Sequence, residues 1–159
     1  MAHVMHTETE RKFLVKNDSY KAEAVRSSHI RQGYIAHDGG NTVRIRIKDG
    51  QGILTIKGAT HGFSRPEWEM EIPLQDATDL FALCKSGRVE KIRHIVPAGN
   101  GRCFEVDEFL GDNEGLVMAE IELGSEDEAF VRPDWLGEEV TGDRRYYNSY
   151  LSAKPFKTW

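Results

Sequence analysis

The feature of this sequence that most restricts its fold is a series of short segments in which charged and apolar residues alternate. Segment 43–48 is the clearest, with Arg44, Arg46 and Lys48 separated by aliphatic residues. Successive side chains of a β-strand point to opposite faces, so this alternation predicts a strand with one ionised face and one apolar face. Acidic residues alternate in the same way in segments 66–73 and 116–123.

Eight segments have the composition of β-strands, and turns rich in glycine, asparagine and aspartate join most of them. They are residues 8–15, 29–37, 43–48, 53–57, 66–73, 89–96, 102–109 and 116–123. Closing such a set into a barrel removes the exposed sheet edges. The pattern therefore predicts an α+β fold built on an eight-stranded antiparallel β-barrel with a few covering helices.

Four short helices are expected around this barrel. Residues 20–27 follow polar N-cap candidates, and residues 76–85 end before Gly87, a residue type common at helix C-termini. Ser125 and Glu128 have the spacing of a capping box, which predicts that a short helix begins there. Residues 143–153 are expected to form the last helix.

Length and composition set the broader limits. A chain of 159 residues is expected to form one domain, 1–159, because a core of this size folds alone. No apolar run approaches the ~20 residues of a membrane span, and the first residues lack a signal-peptide core, so we expect a soluble cytoplasmic protein with no membrane partner. The net charge of −5 argues against nucleic acid as a partner. Cys84 and Cys103 lack CxxC spacing and are expected to be ordinary thiols.

The charged strand faces allow two arrangements. In an ordinary barrel they would meet solvent, and that interpretation suffices for any single strand. Two features of the whole set favour the opposite arrangement. The charged faces are sorted by sign, whereas surface strands usually mix both signs, and the helices need an apolar barrel exterior to pack on. Charged faces that point inward would form an ion-lined tunnel.

Such a tunnel needs an ionic ligand, because buried charges without partners are costly. A polyphosphate with a divalent metal suits it, since basic residues bind phosphate oxygens and carboxylates supply the hard oxygen ligands that Mg²⁺ or Mn²⁺ prefers. Glycine-rich phosphate-binding motifs are missing from the sequence. Side chains would therefore have to hold the phosphate.

One motif connects this pattern with a known family. Glu8, Glu10 and Lys12 form an ExExK sequence at the start of the first predicted strand. Further short elements follow in family order, at residues 31–34, 43–46, 55–58, 69–71, 89–93, 104–107 and 119–122. From about residue 7 to residue 151 the chain resembles CYTH-domain proteins of the triphosphate tunnel metalloenzyme family, and most of all the short, single-domain bacterial members.

The resemblance implies an eight-stranded tunnel that hydrolyses a phosphoanhydride bond of a triphosphate with Mg²⁺ or Mn²⁺. It also implies a role for each matching residue. The implied metal ligands are Glu8, Glu10, Glu120 and Glu122. The implied phosphate-binding residues are Arg44, Arg46, Lys57, Lys91 and Arg93. The implied supporting acids are Glu69, Glu71 and Asp107. Lys12 and Tyr34 match a pair that assists hydrolysis in the short bacterial members.

The last family motif matches residues 138–148, where a C-terminal helix closes one tunnel mouth in the relatives. Arg144 and Tyr147 stand where lysines are frequent, so Arg145 is the candidate for a basic contact from this helix to the substrate.

The resemblance leaves several activities open. Hydrolysis of inorganic tripolyphosphate is favoured, because short bacterial members commonly act on it and the sequence has no evident nucleobase pocket. A class IV adenylate cyclase or a nucleoside or thiamine triphosphatase would use the same tunnel. A polyphosphate-binding module without turnover is disfavoured, since mere capture would not need the intact carboxylates. Both a monomer and a homodimer are compatible with the sequence.

Overall fold

The computed structural model of the chain describes residues 3–84 and 87–159, with side chains from residue 9 onward. Nine strands occur in these residues. They are β1 (His3–Val15), β2 (Arg26–Asp38), β3 (Asn41–Lys48), β4 (Gln51–Lys57), β5 (Ser64–Ile72), β6 (Arg88–Gly99), β7 (Arg102–Phe109), β8 (Val117–Leu123) and β9 (Leu136–Glu139). The α-helices among them are α1 (Tyr20–Glu23), α2 (Leu74–Phe81) and α3 (Asn148–Ala153). Short 3₁₀ turns span Gly111–Asn113, Arg144–Tyr146 and Phe156–Thr158.

Eight of the strands form a closed antiparallel barrel. Hydrogen-bonded neighbours follow the order β5-β4-β3-β2-β6-β7-β8-β1, and a further pairing between β5 and β1 closes the ring. β1 makes the closure possible because it is long. Its first half, from His3 to Thr9, pairs with β5, and its second half, from Thr9 to Leu14, pairs with β8. The eight-stranded antiparallel barrel expected from the sequence is thus confirmed.

The ninth strand, β9, was not expected. It takes the edge of β1 that β5 leaves free, pairing Phe13 with Glu139 and Val15 with Leu136. Its four residues, Leu-Gly-Glu-Glu, carry no alternation that could announce a strand. Gly137 is required there, because a Cβ atom at this position would lie 2.9 Å from the carbonyl oxygen of Leu14.

The apolar faces of the strands point outward and are covered by the helices and the chain after β8. On one side α2 packs so closely that a Cβ atom on Gly52 would lie 2.5 Å from that of Ala77. On the other side Phe104 and Ile121 pack with Trp135, which is 1% exposed. Each large apolar side chain buried in this way contributes roughly 1.5–3 kcal/mol to folding. The hydrophobic core therefore surrounds the barrel, and the lumen is left for other residues.

Three helices differ from their expected bounds. Residues 20–27 were expected to be helical, but α1 ends at Glu23, because β2 begins pairing with β6 at Arg26. α2 begins at Leu74 and ends at Phe81, where 76–85 was expected, and part of the expected C-terminal end lies outside the described residues. The helix expected over 143–153 is divided into a 3₁₀ turn and α3 by the extended backbone of Tyr147.

The helix expected from Ser125 is absent from the described residues, and a turn takes its place. The Glu128 carboxylate, which a capping box would use on the helix backbone, instead accepts two hydrogen bonds from Arg102 at 2.8 and 2.7 Å. It also accepts one from the backbone N–H of Gly124. The ion pair with Arg102 of β7 therefore occupies the carboxylate that a helix start would have needed as an acceptor. Across the described ranges, no helix has both the length and the apolar character of a membrane span.

Candidate active site

The lumen of the barrel holds a cavity of about 300 Å³ lined mainly by charged and polar side chains. β7 and β8 contribute carboxylates to the lining of this cavity. Each of the other six barrel strands contributes at least one basic residue, tyrosine or threonine. The charged parities of β3, β5 and β8 thus face the lumen, as the inward arrangement requires. A cavity of this volume suits a small ligand.

One part of the cavity lining carries four cations, and we call it the cationic wall. Its members are Arg44, Arg46, Lys91 and Arg93. Arg44 and Arg46 alternate along β3, and Lys91 and Arg93 alternate along β6. β2 lies between these two strands, so both pairs project into the same region of the lumen. All four side chains are buried, with Lys91 at 1% exposure.

Asp107 holds two members of the cationic wall in place. It lies on β7 directly opposite Arg93, whose Nε and Nη2 donate to its two carboxylate oxygens at 2.8 and 2.9 Å. The Nζ atom of Lys91 lies 2.7 Å from Oδ2 of the same carboxylate. Burial raises the pKa of Asp107, but the charges of Arg93 and Lys91 outweigh this and lower the pKa to about 2. Asp107 is therefore ionised at any physiological pH.

The contact with Asp107 does not fully compensate Lys91. Within the described part of the chain, Arg46 and Arg44 make no ion pair with Asp107. Burial lowers the pKa of Lys91 to about 7; Asp107 opposes this change, whereas repulsion from Arg93 and Arg46 adds to it. Burial and the charges of Arg44 and Arg93 likewise lower the pKa of Arg46 to about 9. The Nε atom of Arg44 is buried and has no hydrogen-bond partner among the residues described. Crowded cations and a buried donor without an acceptor fit an anionic ligand.

The opposite part of the cavity lining is mainly acidic, and we call it the acidic wall. Its members are Glu10, Glu120, Glu122 and Lys12. Glu10 lies opposite Glu122 and Lys12 lies opposite Glu120 across the β1–β8 pair. Lys12 Nζ is 3.5 Å from Glu120 Oε1 and 3.8 Å from Glu10 Oε1. Strand alternation thus places all four side chains on the lumen face.

The charges of the acidic wall stabilise one another. Burial lowers the pKa of Lys12, but attraction to Glu120 and Glu10 outweighs it, and the net shift is upward. Burial raises the pKa of Glu120, while Lys12, a hydrogen bond with Glu10 and the charge of Arg93 produce a net downward shift. At neutral pH, Lys12 is therefore protonated and Glu120 is ionised.

The acidic wall has the donor chemistry for a divalent metal. Glu10, Glu120 and Glu122 offer hard carboxylate oxygens in the cavity that the cationic wall also lines. Among the side chains that the structure describes, no three acidic, histidine or cysteine groups converge on a single point. The side chain of Glu8 lies outside the described residues, although its backbone pairs with Arg65.

The remaining expected site residues divide into two groups. Lys57, Tyr34 and Glu69 line the cavity, and Glu69 Oε2 lies 4.0 Å from Nη2 of Arg44. Glu71 and Arg145 are exposed and do not line it.

The place of each residue in the fold explains its exposure. Glu71 lies near the end of β5, on the part of the strand that leads to α2. The Arg145 guanidinium donates to the carboxylate of Asp143 at 3.2 and 2.7 Å and packs against Trp159, which directs it away from the lumen. The structure therefore does not bring Glu71 or Arg145 to the other site residues, and we leave both out of the proposed site.

Several cavity residues had no assigned role. Arg65, Glu67 and Glu105 lie on the same strand parity as residues that were identified, so the alternation of β5 and β7 could have found them. Arg65 donates to the carbonyl oxygens of Gly58 and Gly40 at 3.0 and 3.1 Å, and so joins two loops at the tunnel mouth.

The cavity residues of α3 and the segment before it belong to no strand. Tyr147 places its ring 4.8 Å from the Nζ atom of Lys12, and Asn148 lines the cavity as the first residue of α3. No strand alternation could identify these residues, because their positions depend on how the C-terminal segment folds back over the barrel.

Comparison with known proteins agrees with the tunnel geometry. The family model for the CYTH domain matches residues 6–148. An inorganic triphosphatase of Acetivibrio thermocellus is 47% identical over 156 residues, which are 98% of this chain and 99% of that protein. An inorganic triphosphatase of Nitrosomonas europaea is 36% identical over 149 residues, 92% of this chain and 97% of that protein.

A solved structure gives the same result. The crystal structure of the inorganic triphosphatase NE1496 superimposes with a TM-score of 0.66 at 34% identity, covering 92% of this chain and 94% of that one. The family resemblance inferred from the ExExK motif and the elements that follow it is confirmed. The chain belongs to the CYTH domain family.

Proposed function

We propose that this protein is a divalent-metal-dependent inorganic triphosphatase that hydrolyses tripolyphosphate inside the barrel. The observation that carries the proposal is the cationic wall, in which four buried cations lie close together and only two of them, Lys91 and Arg93, contact Asp107. A triphosphate would supply the missing negative charge. The proposal is supported by the two relatives, at 47% and 36% identity, that are named inorganic triphosphatases.

The cationic wall would bind and orient the substrate. Arginine and lysine side chains form charge-assisted hydrogen bonds with phosphate oxygens, and such fixed donors also stabilise the charge of a phosphoryl group in transfer. Lys57 lines the same cavity from β4 and would extend the cationic surface. Asp107 and Glu69 would keep Arg93 and Arg44 oriented before the substrate arrives.

The acidic wall would hold the metal. Glu10, Glu120 and Glu122 are the described ligands, with Glu8 as a further candidate from the sequence. When bound, Mg²⁺ or Mn²⁺ would supply Lewis acidity that neutralises phosphate oxygens. The two walls would thus divide the work, with the cations on one side of the substrate and the metal ligands on the other.

Lys12 and Tyr34 would assist the reaction by different means. The raised pKa of Lys12 keeps it protonated, so we assign it an electrostatic or acid role and not that of a base. The hydroxyl oxygen of Tyr34 accepts a hydrogen bond from Gln32 Nε2 at 3.3 Å. This leaves the O–H of Tyr34 able to donate to a ligand.

A second substrate class is favoured by a neighbouring cavity of about 540 Å³. It lies between the β2–β3 turn, the loop after β4 and α3, and it shares Arg65 and Tyr147 with the tunnel cavity. His37 and Tyr150 line it together with Tyr147, and more of its surface is apolar than in the tunnel cavity. An organic group attached to a triphosphate could occupy this space, so a nucleoside or thiamine triphosphatase is the second candidate.

A phosphate-release assay separates these activities. Tripolyphosphate, ATP and thiamine triphosphate should each be tested with Mg²⁺ and with Mn²⁺, with an EDTA control and a separate measurement of cyclic AMP. We expect the highest kcat/KM for tripolyphosphate and no cyclic AMP. Faster release from ATP or thiamine triphosphate would favour the second candidate. Cyclic AMP formation would identify a cyclase, and binding without phosphate release would contradict an enzymatic function.

A further inference from the structure

Asn148 connects the C-terminal segment to the cationic wall. Its Oδ1 atom accepts a hydrogen bond from Lys91 Nζ at 2.7 Å and another from Gln32 Nε2 at 3.2 Å. The position of α3 is fixed independently, because Leu151 is fully buried in a cluster with Val89 and Phe109. Asn148 therefore approaches the lumen from a segment that the outer core already holds in place.

Gln32 carries this connection to a second cation. It lies on β2 directly opposite Arg46, and its Oε1 atom accepts a hydrogen bond from Arg46 Nε at 2.8 Å. The side chain has no solvent exposure. The orientation of the amide is thus set by its surroundings, with the oxygen toward Arg46 and the nitrogen toward Asn148. One continuous hydrogen-bonded path joins Arg46, Gln32, Asn148 and Lys91.

The chemistry of this path differs from that of the Asp107 contacts. Asp107 orients Arg93 and Lys91 with a carboxylate, and so cancels part of their charge. The amide oxygens of Gln32 and Asn148 orient Arg46 and Lys91 without carrying a charge. A carboxylate at either position would make stronger hydrogen bonds to the cation, but it would also repel an anionic substrate.

We propose that Gln32 and Asn148 are positioning residues for triphosphate: their neutral amides fix Arg46 and Lys91 in the tunnel wall while leaving the positive charge of both for the substrate. This inference rests on the proposed function. It also assigns α3 a specific part in substrate binding, because Asn148 is the contact by which this helix reaches the substrate-binding cations.

Amide-to-acid substitutions test the inference, because they preserve side-chain shape and change the charge. The variants are Asn148→Asp and Gln32→Glu, with Asn100→Asp as the matched control. Asn100 lies at the exposed β6–β7 turn, nine residues from Lys91, or about 30 Å along the strand. The control adds the same charge far from the lumen. Tripolyphosphate binding should be measured by calorimetry in metal-free buffer, and thermal unfolding should be recorded for every variant.

We expect Asn148→Asp and Gln32→Glu to weaken tripolyphosphate binding at least 10-fold relative to the control, with little loss of thermal stability. In turnover assays KM should rise more than kcat falls, which a general loss of packing would not produce. Asn148→Asp remains informative if Gln32→Glu fails to fold, since Asn148 is only partly buried. Unchanged affinity of Asn148→Asp for tripolyphosphate would overturn this inference and would leave the proposed function standing. A wild-type protein that does not bind tripolyphosphate would instead contradict the proposed function, and the inference with it.

Discussion

The two walls of the tunnel contain similar numbers of charges but balance them differently. In the acidic wall a cation lies between carboxylates, and the interaction raises the pKa of Lys12 and lowers that of Glu120. In the cationic wall Asp107 and Glu105 raise the pKa of Arg93 against the effect of burial. Burial and repulsion between the cations nevertheless lower the pKa of Lys91 to about 7 and that of Arg46 to about 9. Lys12 and Glu120 of the acidic wall are thus compensated within the protein, whereas Lys91 and Arg46 of the cationic wall are compensated only in part.

This difference indicates where the ligand binds. A buried cation without a full set of partners costs folding free energy, and the exterior core of the barrel must offset that cost. An anion that enters the lumen would remove it. The cationic wall therefore suits an anionic ligand, and in the acidic wall Lys12 contacts two of the carboxylates that we propose as metal ligands.

The largest effect should come from the acidic wall. Glu120→Gln removes a proposed metal ligand and the closest carboxylate of Lys12. We expect metal-dependent phosphate release from tripolyphosphate to fall at least about 100-fold, as for loss of a major electrostatic contribution to the transition state. The matched control is Glu114→Gln, an exposed glutamate whose side chain is 69% accessible. Full activity in a folded Glu120→Gln protein would exclude the proposed role.

A comparison of stability between the walls should give the next largest effect. Lys12→Met leaves Glu120 and Glu10 without their shared cation, and breaking such a buried pair costs about 3–5 kcal/mol. Arg46→Met removes a cation that its neighbours repel. We expect it to lower the free energy of unfolding of the ligand-free protein much less than Lys12→Met does, because relief of the repulsion offsets the loss of its hydrogen bond to Gln32. Denaturant unfolding measures both, and equal destabilisation by the two variants would contradict the difference between the walls.

The same Arg46→Met variant should weaken substrate binding. A hydrogen bond to a charged group contributes about 1.5–3 kcal/mol, so the dissociation constant of tripolyphosphate should rise by about 10- to 100-fold. Calorimetry in metal-free buffer gives this value directly. An unchanged dissociation constant would show that Arg46 does not contact the anion. A small change in stability together with clearly weaker binding is the combination expected of a cation that is arranged for a ligand.

The pH dependence of anion binding should show the smallest effect. The pKa of Lys91 is about 7, below its ordinary value of 10.5, so Lys91 loses its charge as the pH rises from 6 to 8.5. We expect the affinity for sulfate, whose charge is constant in this range, to fall a few-fold over the interval. Lys91→Arg should remove most of this dependence, because arginine stays charged. An equal slope in both proteins would mean that Lys91 does not bind the anion.

The same shift also affects the stability of the ligand-free protein. Between pH 7 and about 10 the unfolded chain holds a proton on Lys91 that the folded chain has released. The contribution of Lys91 to the free energy of unfolding should therefore rise with pH across this window. Denaturant midpoints for wild type and Lys91→Met, measured at pH 7 and pH 9.5, would test the sign.

Much of the barrel and of both walls could be predicted from the sequence, because strand alternation is a local property. The parity of Arg44 and Arg46 on β3, or of Glu120 and Glu122 on β8, already states which side chains share a face. Which face points inward is not local. We inferred the inward face from the need of the helices for an apolar barrel exterior. In the structure α2 packs on the outside of the barrel at Gly52.

Expectation and structure differ where a side chain has a partner that its motif does not indicate. Glu128 has the spacing of a helix cap, yet Arg102 of β7 takes its carboxylate. Arg145 is adjacent to a recognisable motif, yet Asp143 holds its guanidinium outside the tunnel. Asn148 had no assigned role, because its contacts with Gln32 and Lys91 exist only after α3 has packed against the barrel. The partners of Glu128 and Asn148 lie far away in the sequence, so spacing alone does not reveal them.

The most direct test of the account is a crystal structure of the protein with tripolyphosphate. The expected result is a triphosphate in the lumen, with phosphate oxygens within about 3 Å of the Arg46 guanidinium and the Lys91 ammonium. A triphosphate bound outside the barrel, with the cationic wall unchanged from its ligand-free arrangement, would contradict the account.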